Sequence, residues 1–167
     1  VIVSGAGNDI INAGAGRDSI DAGDGNDLIS VTTDADFEVS GGTETIDGGA
    51  GLDTLIFNSA AAHDLSSAEM GNVKNIEVIS FAVATGNRAT VIGLSDTFMS
   101  NNNDAITILA NPQVAGTSGT TNVNGSAVGT GAIRMILQGD LTNVADTLTG
   151  GAGDDVLQIG NTQTGNS

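Results

Sequence analysis

Cysteine is absent from the 167-residue sequence, which excludes disulfides, thiolate metal sites and thiol nucleophiles. Tryptophan and tyrosine are absent as well, and the four Phe bring the aromatic share to only 2%. A core built on large rings is thereby excluded, and so are the stacking platforms that single-strand nucleic-acid binders need. Positive charge is scarce: four Lys+Arg stand against 20 Asp+Glu, a formal net charge of −16. Such a surface repels phosphate backbones and anionic membranes and attracts cations, so nucleic acid is not an expected partner. No apolar run approaches the roughly 18 residues of a membrane span, and no signal-peptide pattern opens the chain, so membrane insertion is not expected either. Val1 follows no Met, which points to a segment of a longer protein.

Glycine, in contrast, is abundant: 25 residues against one Pro, and the glycines fall in a register. Three nine-residue units run without a gap, S-G-A-G-N-D-I-I-N (4–12), A-G-A-G-R-D-S-I-D (13–21) and A-G-D-G-N-D-L-I-S (22–30). A fourth, G-G-A-G-L-D-T-L-I, spans 48–56, and a fifth, G-G-A-G-D-D-V-L-Q, spans 150–158 behind a degraded copy at 141–149. Every good unit has Gly at places two and four, Asp at place six and an aliphatic residue at place eight. The residues match G-G-x-G-x-D-x-U-x, with U a large aliphatic, and the chain resembles the RTX (repeat-in-toxin) calcium-binding family. About 62 of the 167 residues carry the resemblance, counting both blocks and the spacer within the first. It implies an all-β, right-handed parallel β-roll or β-solenoid, extracellular export and calcium-dependent folding.

Residue chemistry leads the same way. Gly-x-Gly-x-Asp makes a tight turn, because Gly takes backbone angles that a Cβ forbids. The last three residues of a unit form a short strand whose middle aliphatic points inward. Two units make one turn of the coil, so alternate loops stack on one edge about 4.8 Å apart and align their Asp side chains. That column is repulsive unless cations lie between the loops. Six oxygens per gap, four carbonyls and two carboxylates, suit calcium better than magnesium.

The expected first site takes Gly5, Gly7 and Asp9 from one loop and Ala22, Asp24 and Asp27 from the next on that edge. A second takes Gly23, Gly25 and Asp27 with Gly48, Ala50 and Asp53, provided the long loop between them occupies the opposite edge. On that opposite edge Gly14, Gly16 and Asp18 would complete a third site with one of Asp34, Asp36, Glu38 or Glu44. In the last unit Gly150, Gly151, Ala152, Gly153 and Asp155 form only part of a site unless something stacks on them.

Three regions follow: an RTX β-roll at 1–57, a metal-free continuation or inserted β-rich region at 58–138, and the start of a second block at 139–167. In the middle region, Val-, Ile- and Thr-rich stretches predict strands at 76–82, 89–92, 105–110, 121–123 and 132–138, with one helical turn at 66–70. The alternative there is a small β-sandwich.

Enzyme signals are few. His63 is the single histidine, and although Asp64 adjoins it, neither a second His nor a serine elbow accompanies it, so a surface position is expected. The G-A-G-N-D loops lack the following helix that a phosphate site requires. Met70, Met99 and Met135 read as core filler. No catalytic role is expected.

The Thr-, Ala- and Gly-rich composition, and N-V-K-N-I-E-V-I-S-F at 72–81, are similar to calcium-dependent surface-layer proteins of Gram-negative bacteria. That resemblance implies a structural, secreted, cell-surface segment with self-association into a lattice. The alternative is an accessory module of a type I-secreted enzyme or an adhesin.

Overall fold

The computed structural model describes residues 1–32, 44–58, 63–81, 89–110, 120–129, 133–139 and 147–161. The nonapeptide strands form where their pattern puts them. Ile2–Val3 (β1), Ile10–Asn12 (β2), Ser19–Asp21 (β3) and Leu28–Val31 (β4) alternate between two sheets, followed by Thr45–Asp47 (β5) and Thr54–Phe57 (β6). β1, β3 and β5 pair in parallel on one face, and β2, β4 and β6 on the other. Consecutive units therefore lie on opposite sides of the coil and alternate units stack.

The period-two rule explains what is inside. Place eight of the first four units, Ile11, Ile20, Ile29 and Leu55, is buried at 5%, 3%, 0% and 0% exposure. The same place in the last unit, Leu157, is 44% exposed, because β15, its strand, is the outermost of its sheet among the described residues. Phe57 and Phe81 stack at 5.2 Å between ring centroids and extend the aliphatic core toward the middle of the chain.

The middle region continues the coil. Val78–Phe81 (β9), Thr107–Ala110 (β11), Arg134–Gly139 (β13) and Val156–Asn161 (β15) add to β2, β4 and β6, giving one seven-stranded parallel sheet. The sandwich alternative is thereby set aside: a sandwich needs antiparallel strand pairs, and every pair described is parallel. On the opposing face, Val73–Lys74 (β8) ends the first sheet, while His63–Leu65 (β7), Ala89–Ser95 (β10), Thr120–Ala127 (β12) and Thr147–Thr149 (β14) build a third. His63 thus lies on a strand, not a surface loop.

The strand predicted from residue 76 begins instead at Val78, since Ile76 and Glu77 belong to the turn before it. The helical turn predicted at 66–70 is closed by the N–H groups of Glu69 and Met70, both bonded back to the Ser66 carbonyl at 3.1 Å, and runs on into a 3-10 segment at Met70–Asn72. A helix that the strand pattern concealed, Asp96–Asn101 (α1), buries Phe98 and Met99 and is capped by Ser95, whose Oγ accepts from the Phe98 N–H. α1 stands where the next strand beside β8 would be. Its neighbour Asn102, fully buried, imitates a strand there: its amide accepts from Ile76 N at 2.8 Å and donates to the Val73 carbonyl at 3.1 Å.

Leu55→Ala removes a fully buried side chain from a core with little else to refill it. Urea denaturation in saturating calcium is expected to show a loss of about 2–5 kcal/mol. Leu52→Ala, at a position 56% exposed, should stay within about 0.5 kcal/mol of the parent.

Candidate metal centre

The stacked edge is built by glycines for two separate reasons. Gly23 and Gly25 have φ of 96° and 137°, the left-handed region that a side chain resists. They also lie directly against the carbonyls of the loop beneath: a Cβ on Gly23 would meet Gly5 O at 1.8 Å, and one on Gly25 would meet Gly7 O at 2.2 Å. Gly49 and Gly51 repeat the arrangement over the Gly23 and Gly25 carbonyls. Close approach of the loops is thus what places two and four require.

Backbone bonds fix the register. Asp24 N donates to Gly5 O at 2.9 Å and Ala50 N to Gly23 O at 2.8 Å, while Gly7 N donates to Asp24 O and Gly25 N to Ala50 O, both at 2.7 Å. Outside them runs an amide ladder, Asn26 N to Asn8 Oδ1 at 2.8 Å and Leu52 N to Asn26 Oδ1 at 2.9 Å.

The Asp column lies inside. Asp27 Oδ1 accepts from Asp9 N, Asp53 Oδ1 accepts from Asp27 N, and Glu77 Oε2 accepts from Asp53 N, each at 2.8 Å. One oxygen each of Asp27, Asp53 and Glu77 is therefore held by the rung before it. Asp9 Oδ2, Asp27 Oδ2 and Asp53 Oδ2 are buried and have no hydrogen-bond partner. Asp27 and Asp53 are 2% and 0% exposed. Two like charges one strand spacing apart repel by about 3 kcal/mol at an effective dielectric constant of about 20. A single charge-assisted hydrogen bond contributes about 1.5–3 kcal/mol. The ladder orients the column without discharging it, and an orphaned anionic oxygen in each rung is the donor set a hard cation takes.

Among the described residues no three carboxylate or imidazole side chains converge on one point. Each gap offers two carboxylates, so the remaining ligands would be carbonyls. Gly5, Gly23, Asp24 and Ala50 each use one carbonyl lone pair in the ladder and keep the second. The Ala22 carbonyl accepts from Ser4 Oγ at 2.5 Å. The residues expected for the first site (Gly5, Gly7, Asp9, Ala22, Asp24, Asp27) and the second (Gly23, Gly25, Asp27, Gly48, Ala50, Asp53) are therefore brought together in the register their spacing requires.

On the opposite edge, the pairing of Ser19 with Thr45 puts Glu44, 1% exposed, over Asp18. Asp34, Asp36 and Glu38 lie outside the described residues. The Gly14 carbonyl accepts from Thr32 Oγ1 at 2.8 Å. In the last unit Asp155 repeats the ladder, its Oδ1 accepting from Ile133 N at 3.0 Å, but no second Gly-x-Gly-x-Asp loop stacks on Gly150, Gly151, Ala152 and Gly153 among the described residues.

Sequence reasoning missed Glu77. The available signal was its position immediately before a core strand, the place Asp9, Asp27 and Asp53 also hold. At the same place in the next two rungs stand Ile106 and Ile133, both 1% exposed, and there the acidic column stops.

Burial raises the Asp53 carboxyl above its ordinary value of 3.8; the Asp27 N–H offsets part of this, and the charges of Asp27, Glu77 and Asp47 add to it. Asp47 goes the other way: burial pushes it up, but hydrogen bonds from Lys74 (2.8 Å) and Asn75 (2.6 Å) outweigh that and hold it low. Lys74 is raised by the same pair.

The family model of the RTX calcium-binding nonapeptide repeat (4 copies) matches residues 1–37, 39–56 and 142–158. The chain matches no curated protein and no solved structure. These segments carry the pattern of a calcium-binding repeat, and where they are described they run in parallel strands of the roll.

A raised folded-state value makes the folded chain bind protons more tightly than the unfolded one, so Asp53 favours folding below its folded value and disfavours it as pH rises through that value. In calcium-free buffer any residual strand signal is expected to be greater at pH 5 than at pH 7, and in saturating calcium the urea midpoint should be higher at pH 7, because ions and protons compete for one oxygen. Asp27→Asn, which touches both gaps, should raise the calcium concentration for half-folding at least tenfold, about 1.4 kcal/mol. Asp154→Asn, exposed at place five, should leave it unchanged.

Proposed function

We propose that this region is a calcium-folded structural segment of a secreted bacterial surface-layer protein, with no catalytic role of its own. The observation that carries the calcium part is the set of three buried carboxylate oxygens, on Asp9, Asp27 and Asp53, that no hydrogen bond satisfies. Supporting the surface-layer part are the Thr-, Ala- and Gly-rich composition, the charge of −16 and the segment at 72–81.

The residues act by position. Glycines let loops approach, the amide and carboxylate ladders align them, and calcium, when bound, supplies the charge that allows the column to close. Extracellular calcium modules bind at about 10⁻⁴–10⁻³ M, so low cytosolic calcium leaves such a chain open for export and calcium outside closes it. Ions that bind only the folded chain stabilise it by about 4 kcal/mol at a thousandfold excess over the dissociation constant. Lattice assembly would follow folding, through surfaces of the completed coil.

Circular dichroism with and without chelator tests the reading. Strand signal should appear with millimolar calcium and vanish on chelation; a spectrum indifferent to chelator would contradict it.

A further inference from the structure

On this edge Asp9 Oδ2, Asp27 Oδ2 and Asp53 Oδ2 are buried without a hydrogen-bond partner, and the nonapeptide loops of the first block bound two gaps: residues 4–9 against 22–27, and 22–27 against 48–53. Asp53, which belongs to the expected set of the second gap, also borders a third, through its N–H to Glu77. On the far side of loop 48–53 lies no Gly-x-Gly-x-Asp loop but a short turn, Asn75, Ile76 and Glu77, joining β8 to β9. The rungs are in register, with Asp47 opposite Lys74 and Thr54 opposite Val78. Glu77 Oε2 takes the Asp53 N–H at 2.8 Å, as Asp53 Oδ1 takes that of Asp27.

Gly48 supplies an independent observation. A Cβ there would stand 2.0 Å from the Asn75 carbonyl oxygen and 2.8 Å from Asp53 Oδ2. Two oxygens thus converge on one buried point from opposite rungs. Asn75 is turned there by a φ of 54°, in the left-handed region that Asn tolerates better than most residues. Place one elsewhere on this edge accepts a methyl group, as Ala22 shows, fully buried.

We propose that a calcium ion is held in this third gap by Asp53, the Asn75 carbonyl and Glu77, beyond the last nonapeptide loop of the block. The site rests on the calcium reading above and extends it: the turn at 75–77 acts as the metal-bound lid of the column, and Ile106 in the next rung ends it. A glutamate suits the position because its turn is shorter than a Gly-x-Gly-x-Asp loop, and the extra methylene restores the reach of the carboxylate.

The test counts ions. Equilibrium dialysis of the full chain against saturating calcium gives the number bound by the parent, by Glu77→Gln and by Gly48→Ala. Each variant is expected to bind one ion fewer than the parent while its strand signal in calcium persists. Variants that bind as many ions as the parent would overturn the third site and leave the calcium roll standing. A parent that binds none would defeat the calcium reading itself. Should neither variant fold, anomalous diffraction from parent crystals grown in calcium decides. A peak about 2.3–2.6 Å from both Asp53 Oδ2 and the Asn75 oxygen supports the site; peaks in the neighbouring gaps alone overturn it.

Discussion

The structure depends on a repulsion it cannot relieve alone. Parallel strands stack identical places over one another, so a repeat with Asp at place six necessarily builds a line of carboxylates one strand spacing apart. Asp27 and Asp53 each use one oxygen to receive the N–H of the preceding rung, and Asp9, Asp27 and Asp53 each keep an oxygen buried without a hydrogen-bond partner. Hydrophobic burial beside the column is modest, since each short strand gives only one or two inward apolar side chains and the sequence has four Phe and no larger ring. On the proposed reading the energy that closes the loops comes from outside the chain, and folding is conditional on a cation.

Where the column ends, the same coil continues on different terms. Ile106 and Ile133 replace the acid, and α1 with Asn102 replaces a strand. A peptide-like side chain, bonded to Ile76 N and Val73 O, satisfies the edge that β8 leaves open. The change from acidic to apolar rungs takes place within one continuous seven-stranded sheet, so the two kinds of rung share a backbone framework. On the proposed reading, that sharing gives calcium at one end a physical route to order the rest, because each rung templates the next.

Much of this was legible in the sequence because the repeat period equals the structural period. Spacing alone put units one and three on one edge and, on the premise that the long spacer keeps to the other edge, placed unit four over unit three. It also gave the inward aliphatics and the calcium-directed Asp column. What stayed hidden depended on contacts across rungs. α1 is six residues long with two buried side chains, Phe98 and Met99, too brief for a helical period to stand out in a strand-rich stretch. Asn102 reads as one more residue of a polar loop until its three neighbours are known. Glu77 stayed hidden because the repeat announces itself by its glycines, whereas the position of Glu77 depends only on standing one residue before a core strand. Glu44 was one of four acids offered for the opposite edge, and the pairing of Ser19 with Thr45 is what sets it over Asp18.

The central claim is that cations between stacked rungs, not the chain's own hydrogen bonds, keep the column closed. Amide hydrogen exchange resolved at Asp9, Asp27 and Asp53 tests it most directly, because their N–H groups or carboxylates form the inter-rung ladder. With calcium, the Asp9 and Asp27 amides should be protected to the level of the core strands, and on chelation they should exchange at unfolded rates. Equal protection in both conditions would mean that the carboxylate column holds itself together, and the account would fail.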